Sequence, residues 1–179
     1  MVFHIGIPNM NSSVNVKELI LSDLSFLESD RHLNLWNHSF FQFAGTSPIG
    51  VSRSDLPAHF EKLATETSQF GIYVSDRQQP SGCIRFRGDG DTPAGNMQIN
   101  VLCIDRTEIA AIGDAIMEMM KLQRTCCNTR KFIALLIEEE MIEQKILQQI
   151  GFVHEVTFPK YLYLKGRYLT AMAYSHFGC

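Results

Sequence analysis

The chain has 179 residues, of which 45% are hydrophobic, and a formal net charge of −3 at neutral pH. That length predicts one domain around one sizeable core, spanning residues 1–179. The basic residues are scattered, which excludes the positive stripe that binding to a nucleic-acid backbone requires.

From its start, Met1-Val2-Phe3-His4-Ile5-Gly6-Ile7-Pro8, the sequence shows neither a basic region nor an apolar stretch of signal-peptide length, so no signal peptide is expected. Val14–Leu21 predicts a short strand, and a helix follows from about Asp23, broken before Asn37. Gly45–Arg53 is punctuated by Gly, Pro and Ser and predicts a loop. Ser54-Asp55-Leu56-Pro57 predicts a helix start, with polar caps and proline in the first turn. Phe70–Val74 and Cys83–Arg87, joined by the turn-rich Asp76–Gly82, predict an antiparallel hairpin. Gly88–Gly95 is a second turn, leading into a strand over Met97–Ile104.

From Asp105 the apolar period changes. Ile109, Ile112, Ile116, Met119 and Met120 recur at helical spacing and predict a helix with one buried face. Phe132–Ile137 is a continuous apolar run, expected of a strand buried on both faces and far too short to cross a bilayer. Met141–Ile150 predicts a short helix stopped by Gly151 in a left-handed position. Strands over Phe152–Leu164 and Tyr168–Ser175 surround the turn Lys165-Gly166-Arg167. This order predicts an α/β fold: a mixed, mostly antiparallel sheet with helices on its faces.

Several chemistries are excluded by spacing. Five cysteines, with Cys126 and Cys127 adjacent and Cys83, Cys103 and Cys179 dispersed, predict reduced thiols in a cytoplasmic protein and no metal site. The histidines form no His-Glu-x-x-His motif. Asp89-Gly90-Asp91 opens like a calcium loop, but Pro93 and Asn100 stand where that loop needs ligands. There is no Gly-x-Ser-x-Gly elbow for an acyl-enzyme.

The order of elements resembles that of the GNAT superfamily of N-acetyltransferases. At residue level, Gln149-Ile150-Gly151-Phe152-Val153-His154-Glu155 is similar to that family's Gly-Phe entry into its penultimate strand. Tyr163-Leu164-Lys165-Gly166-Arg167-Tyr168 and Ala171-Met172-Ala173-Tyr174-Ser175 resemble the closing hairpin of its ribosomal-protein acetyltransferase branch. The residue-level likeness covers about Met97–Phe177. It implies a splayed parallel strand pair and acetyl-CoA as co-substrate, with no metal. Pantetheine would lie along the backbone of Leu102, Cys103 and Ile104. Pyrophosphate would lie at the helix start formed by Ala110, Ala111, Ile112 and Gly113, where backbone N–H groups favour anions. Gly113 and Ala111 match small positions of the family's loop, whereas Glu108 stands at a position where the family carries Arg or Gln. Leu147 and Glu140 replace the family's tyrosine acid and its asparagine.

Other residues have two readings each. Asp105-x-x-Glu108 has the spacing of a capping box, so Glu108 has a structural reading beside a catalytic one. Glu138-Glu139-Glu140 follows the buried strand, where Glu139 could act as a base or simply favour a helix start. Tyr161 and Tyr163 could replace the missing acid or pack at a sheet edge. Trp36, Phe40, Phe41 and Phe43 could line an acceptor pocket or join the core. The resemblance implies acyl transfer to a small-molecule or peptide amine, with no nucleic acid or membrane as partner and a second copy of the chain as a candidate partner. Two alternatives stay open: a non-catalytic sensor or interaction protein of this fold, and an acyltransferase fed by acyl carrier protein.

Overall fold

The computed structural model describes residues 16–18, 51–65, 68–74, 80–88, 95–164 and 166–177, together with Ser25, Ser29, Arg31, Leu33, Asn34 and Asn37. Of the expected first strand, β1 spans Val16–Glu18. Trp36, Phe40, Phe41 and Phe43 lie outside the described residues, as do most of the helix expected from Asp23 and most of the Gly88–Gly95 turn. Asn37 uses its carboxamide as a peptide mimic: Nδ2 donates to Val51 O (3.1 Å), and Oδ1 accepts from Val51 N (2.8 Å).

Helix α1, Leu56–Thr65, begins where its caps predict. Ser52 Oγ donates to Asp55 Oδ2 (2.6 Å), and His59 N closes the first turn on Asp55 O (2.9 Å). Pro57 falls in that turn, where its missing N–H deprives no acceptor. Strands β2 (Ser68–Val74), β3 (Pro80–Arg87) and β4 (Asn96–Cys103) form an antiparallel meander. Helix α2 (Ile109–Cys127) ends on Asn128 in a left-handed conformation. It crosses to β5 (Lys131–Ile137), which pairs parallel with β4. Helix α3 (Met141–Gln149) leads to the long hairpin of β6 (Val153–Leu164) and β7 (Arg167–Phe177). The strands lie in the order β1-β2-β3-β4-β5-β7-β6, so β7 is inserted between β5 and the edge strand β6.

The apolar stripe read from the sequence is the one α2 buries. Ile112, Ile116, Met119 and Met120 meet Ile84 and Phe86 of β3, Ile99 and Val101 of β4, Phe132, Ala134 and Leu136 of β5, and Ile146 and Leu147 of α3. Phe86 and Phe132 pack edge to face, with ring centres 5.9 Å apart. The expectation that β5 is buried on both faces is corrected. Its burial alternates, with Phe132, Ala134 and Leu136 buried and Ile133 and Leu135 half-buried. Among the described residues no helix is long and apolar enough to cross a membrane.

Strand β6 is irregular. Its register against β7 shifts between His154 and Val156 and again between Phe158 and Leu162, and Lys160 adopts φ +54°. Upstream, α3 stops as the sequence predicts. Phe152 N donates to Leu147 O (2.9 Å), Gly151 N donates to Gln148 O (3.1 Å), and Gly151 has φ +94°. These paired bonds satisfy the last helical carbonyls and require a left-handed residue at Gly151. A side chain there is strained whatever the surrounding space, so Gly151→Ala is expected to cost about 1–2 kcal/mol. Urea denaturation will register this as a lower midpoint with an unchanged slope.

Candidate functional site

Strands β4 and β5 hold together over only three pairs, Asn96–Lys131, Met97–Phe132 and Gln98–Ile133, and then diverge. Beyond the last pair, the amides that would have bridged them need other partners, because a buried unpaired N–H is costly. On the β3 side the amides of Ile104 and Asp105 both donate to Ser81 O (2.9 Å each). The amide of Cys103 donates instead to Oε1 of Glu143 (2.9 Å). Across the splay, the amide of Ile137 donates to Oε2 of Glu140 (2.8 Å). The N-cap and first turn of α3 therefore supply a carboxyl group to each side of the splay.

Glu143 is only 7% exposed. Burial pushes its carboxyl above the usual value, opposed by the Cys103 amide and by the positive charge of Arg106. Its place in the first turn of α3 also favours negative charge there. The neighbouring Cys103 thiol is pushed up to about 12 by burial, and by Glu143 and Asp105. It is therefore no thiolate nucleophile near neutral pH.

At the start of α2, Glu108 N donates to Asp105 O (3.2 Å) and Ile112 N to Glu108 O (2.9 Å). Helix geometry then leaves the amides of Ile109, Ala110 and Ala111 without intrahelical acceptors. The expected capping box is not formed. Asp105 Oδ1 accepts from Thr107 N (2.9 Å) and Thr107 Oγ1 (2.7 Å), and Glu108 is itself the cap residue, with no side-chain cap bond. Two of the four residues expected to cradle pyrophosphate lie too deep in the helix. The Ile112 amide is already engaged, and Gly113 is buried, with a Cβ added there falling 3.1 Å from Ile150 Cγ2. The small residue at 113 thus lets α2 approach the end of α3.

The three glutamates after β5 are tied down separately. Glu138 N donates to Thr170 O (2.9 Å), and Glu138 Oε1 accepts from Thr170 N (3.2 Å). Glu139 forms an ion pair with Arg167. Glu140 is buried at the splay, as above. Tyr161 and Tyr163 are exposed on the edge strand, Tyr161 against Phe158 and Tyr163 against Tyr168. Leu147, at the position of the resembled family's acid, is fully buried in the core. Sequence reasoning missed Glu143, although a signal existed: Glu143, Ile146, Leu147 and Ile150 share one helical stripe, so a glutamate stood on an apolar face.

No protein-family model matches the sequence, and no curated protein matches it. Solved structures do. A spermidine N-acetyltransferase from Vibrio cholerae, determined in complex with CoA and spermine, is similar with a TM-score of 0.70 at 15% identity, covering 93% of this chain and 96% of that one. A ribosomal-protein-S5-alanine acetyltransferase from Vibrio fischeri is similar with a TM-score of 0.63 at 17% identity, covering 94% of each chain. The chain has the GNAT fold.

Two substitutions probe this site. Because Glu143 binds its proton more tightly when folded, it favours the native state below the ordinary value of 4.5. That contribution is lost as pH rises through the raised value. The stability of the wild type relative to Glu143→Gln should accordingly fall as pH rises through this window, as read from denaturation midpoints in an acid-to-neutral series. Gly113→Val forces Ile150 aside and should cost about 1–3 kcal/mol, as overpacking does. Thermal unfolding will show it without any ligand present.

Proposed function

We propose that this protein, a single domain spanning the chain, transfers an acyl group from acyl-CoA to a primary amine, with acetyl the acyl group implied by the resemblance. The observation that carries this reading is the splay of β4 and β5, with Leu102–Ile104 along one side and the open amides of α2 beyond its end. The spermidine N-acetyltransferase of the same fold was solved with CoA and spermine, which supports CoA as acyl carrier and a small amine as acceptor. A reaction of this class needs positioning and proton handling rather than a protein nucleophile. The groups proposed to carry the proton are Glu139, Tyr161 and Tyr163, with Glu139 first having to part from Arg167.

As arranged, the residues do not fit a pantetheine arm. The Cys103 amide is held by Glu143, and the Ile104 amide by Ser81. Glu108 adds a carboxyl group at the helix start where a pyrophosphate would sit. These two glutamates favour the second reading, a non-catalytic sensor or interaction protein of this fold.

Calorimetric titration with acetyl-CoA separates the two. A carboxylate about 5 Å from a phosphate charge repels it by roughly 3 kcal/mol at an effective dielectric near 20. After solvent screening of that repulsion, Glu108→Gln should bind acetyl-CoA about tenfold more tightly than the wild type. Absence of binding in Glu108→Gln and in a Glu108→Gln, Glu143→Ala double variant would overturn the acyl-CoA reading in favour of the second.

A further inference from the structure

A splayed strand end presents a backbone donor to whatever lies in the cleft, and a buried donor must be paired. Here the donor is the amide of Cys103, which faces away from β3 and into the splay. A ligand carbonyl lying along β4 could pair with it, and so could a side-chain oxygen of the protein. The structure contains the second arrangement: Glu143 Oε1 accepts from Cys103 N at 2.9 Å, within a 93%-buried setting given its 7% exposure. The groups facing this carboxyl are the Cys103 amide and thiol on β4 and Arg106 in the loop that follows, while Asp105 acts on the Cys103 thiol. No carbonyl can take the Cys103 donor while Glu143 holds it.

Resting on the thioester reading above, we propose that Glu143 is an internal competitor for the acyl-thioester site. Its carboxyl group closes the splay, and an acyl thioester enters only when it lets go of Cys103. Three side-chain torsions and a position in the first turn of α3 allow that release without unwinding the helix. The same carboxyl therefore sets affinity for the thioester arm, independently of the nucleotide end.

Acetyl-CoA, and S-acetylpantetheine, which lacks the nucleotide, are titrated into the wild type, Glu143→Gln and Glu143→Ala. Glu143→Ala should bind both probes about tenfold more tightly or better, the scale of one hydrogen bond to an acidic group. Glu143→Gln keeps an acceptor oxygen and should fall between. Hydrogen exchange at the Cys103 amide should be faster in Glu143→Ala and near wild type in Glu143→Gln. Glu143→Asp, one methylene too short to reach Cys103, serves if the alanine variant does not fold. Equal or weaker binding in the shortened variants, with native spectra, overturns the proposal and leaves the thioester reading standing. No binding of either probe in any variant overturns the thioester reading and the proposal with it.

Discussion

The constraint on which the rest of the structure depends is that two neighbouring parallel strands part company inside the protein. β4 and β5 share three pairs and then separate, and each buried amide exposed by the separation must find an acceptor. The start of helix α3 provides both acceptors, Glu140 at its N-cap to Ile137 and Glu143 in its first turn to Cys103. Residues three apart lie on the same side of a helix, so this start is the piece of local structure best able to bridge both strand ends at once. The macrodipole favours carboxyl groups at that location, offsetting part of the burial cost. The Cys103 pairing also decides whether the cleft is open to another molecule.

The position of α3 in turn depends on contacts at its far end. Gly113 lets α2 approach Ile150, and the paired bonds around Gly151 turn the chain sharply into β6. Buried Ile146 and Leu147 lock the same helix into the core beneath α2. The splay is thus held open from behind by side-chain packing, while its front is closed by two polar contacts. Apolar packing is stiff and non-directional, whereas a single hydrogen bond can be exchanged for another of similar geometry. The rigid part and the exchangeable part of the site are built from different interactions.

Much of this fold was legible in the sequence because its signals are local and periodic. The stripe from Ile109 to Met120, the glycine at 151 and the caps around Asp55 each predict an element that the structure contains. The site was less legible. Capping-box spacing pointed to Asp105 and Glu108, but the helix begins at Ile109, and Asp105 turns to Thr107 instead. The run Glu138-Glu139-Glu140 reads as one carboxylate cluster, yet its members bond to Thr170, Arg167 and Ile137 respectively. Of these partners, Thr170 and Arg167 are brought near by strand registers that no local window contains, whereas Ile137 is only three residues away. Glu143 was visible only as an acidic residue on an apolar stripe, and its partner Cys103 is forty residues away.

The irregular edge strand has a consequence for how these molecules can associate. Among the described residues, β6 presents Val153, Val156, Phe158 and Tyr161 to solvent along the outer margin of the sheet, the kind of border that invites strand-to-strand aggregation. Its two register shifts, with Pro159 and the left-handed Lys160 at the second, break the even spacing of outward-pointing amides and carbonyls. Another strand aligned along β6 could keep in step only over short stretches before losing register. A continuous intermolecular sheet through this border is therefore disfavoured by backbone shape alone, although the side chains along it are sticky.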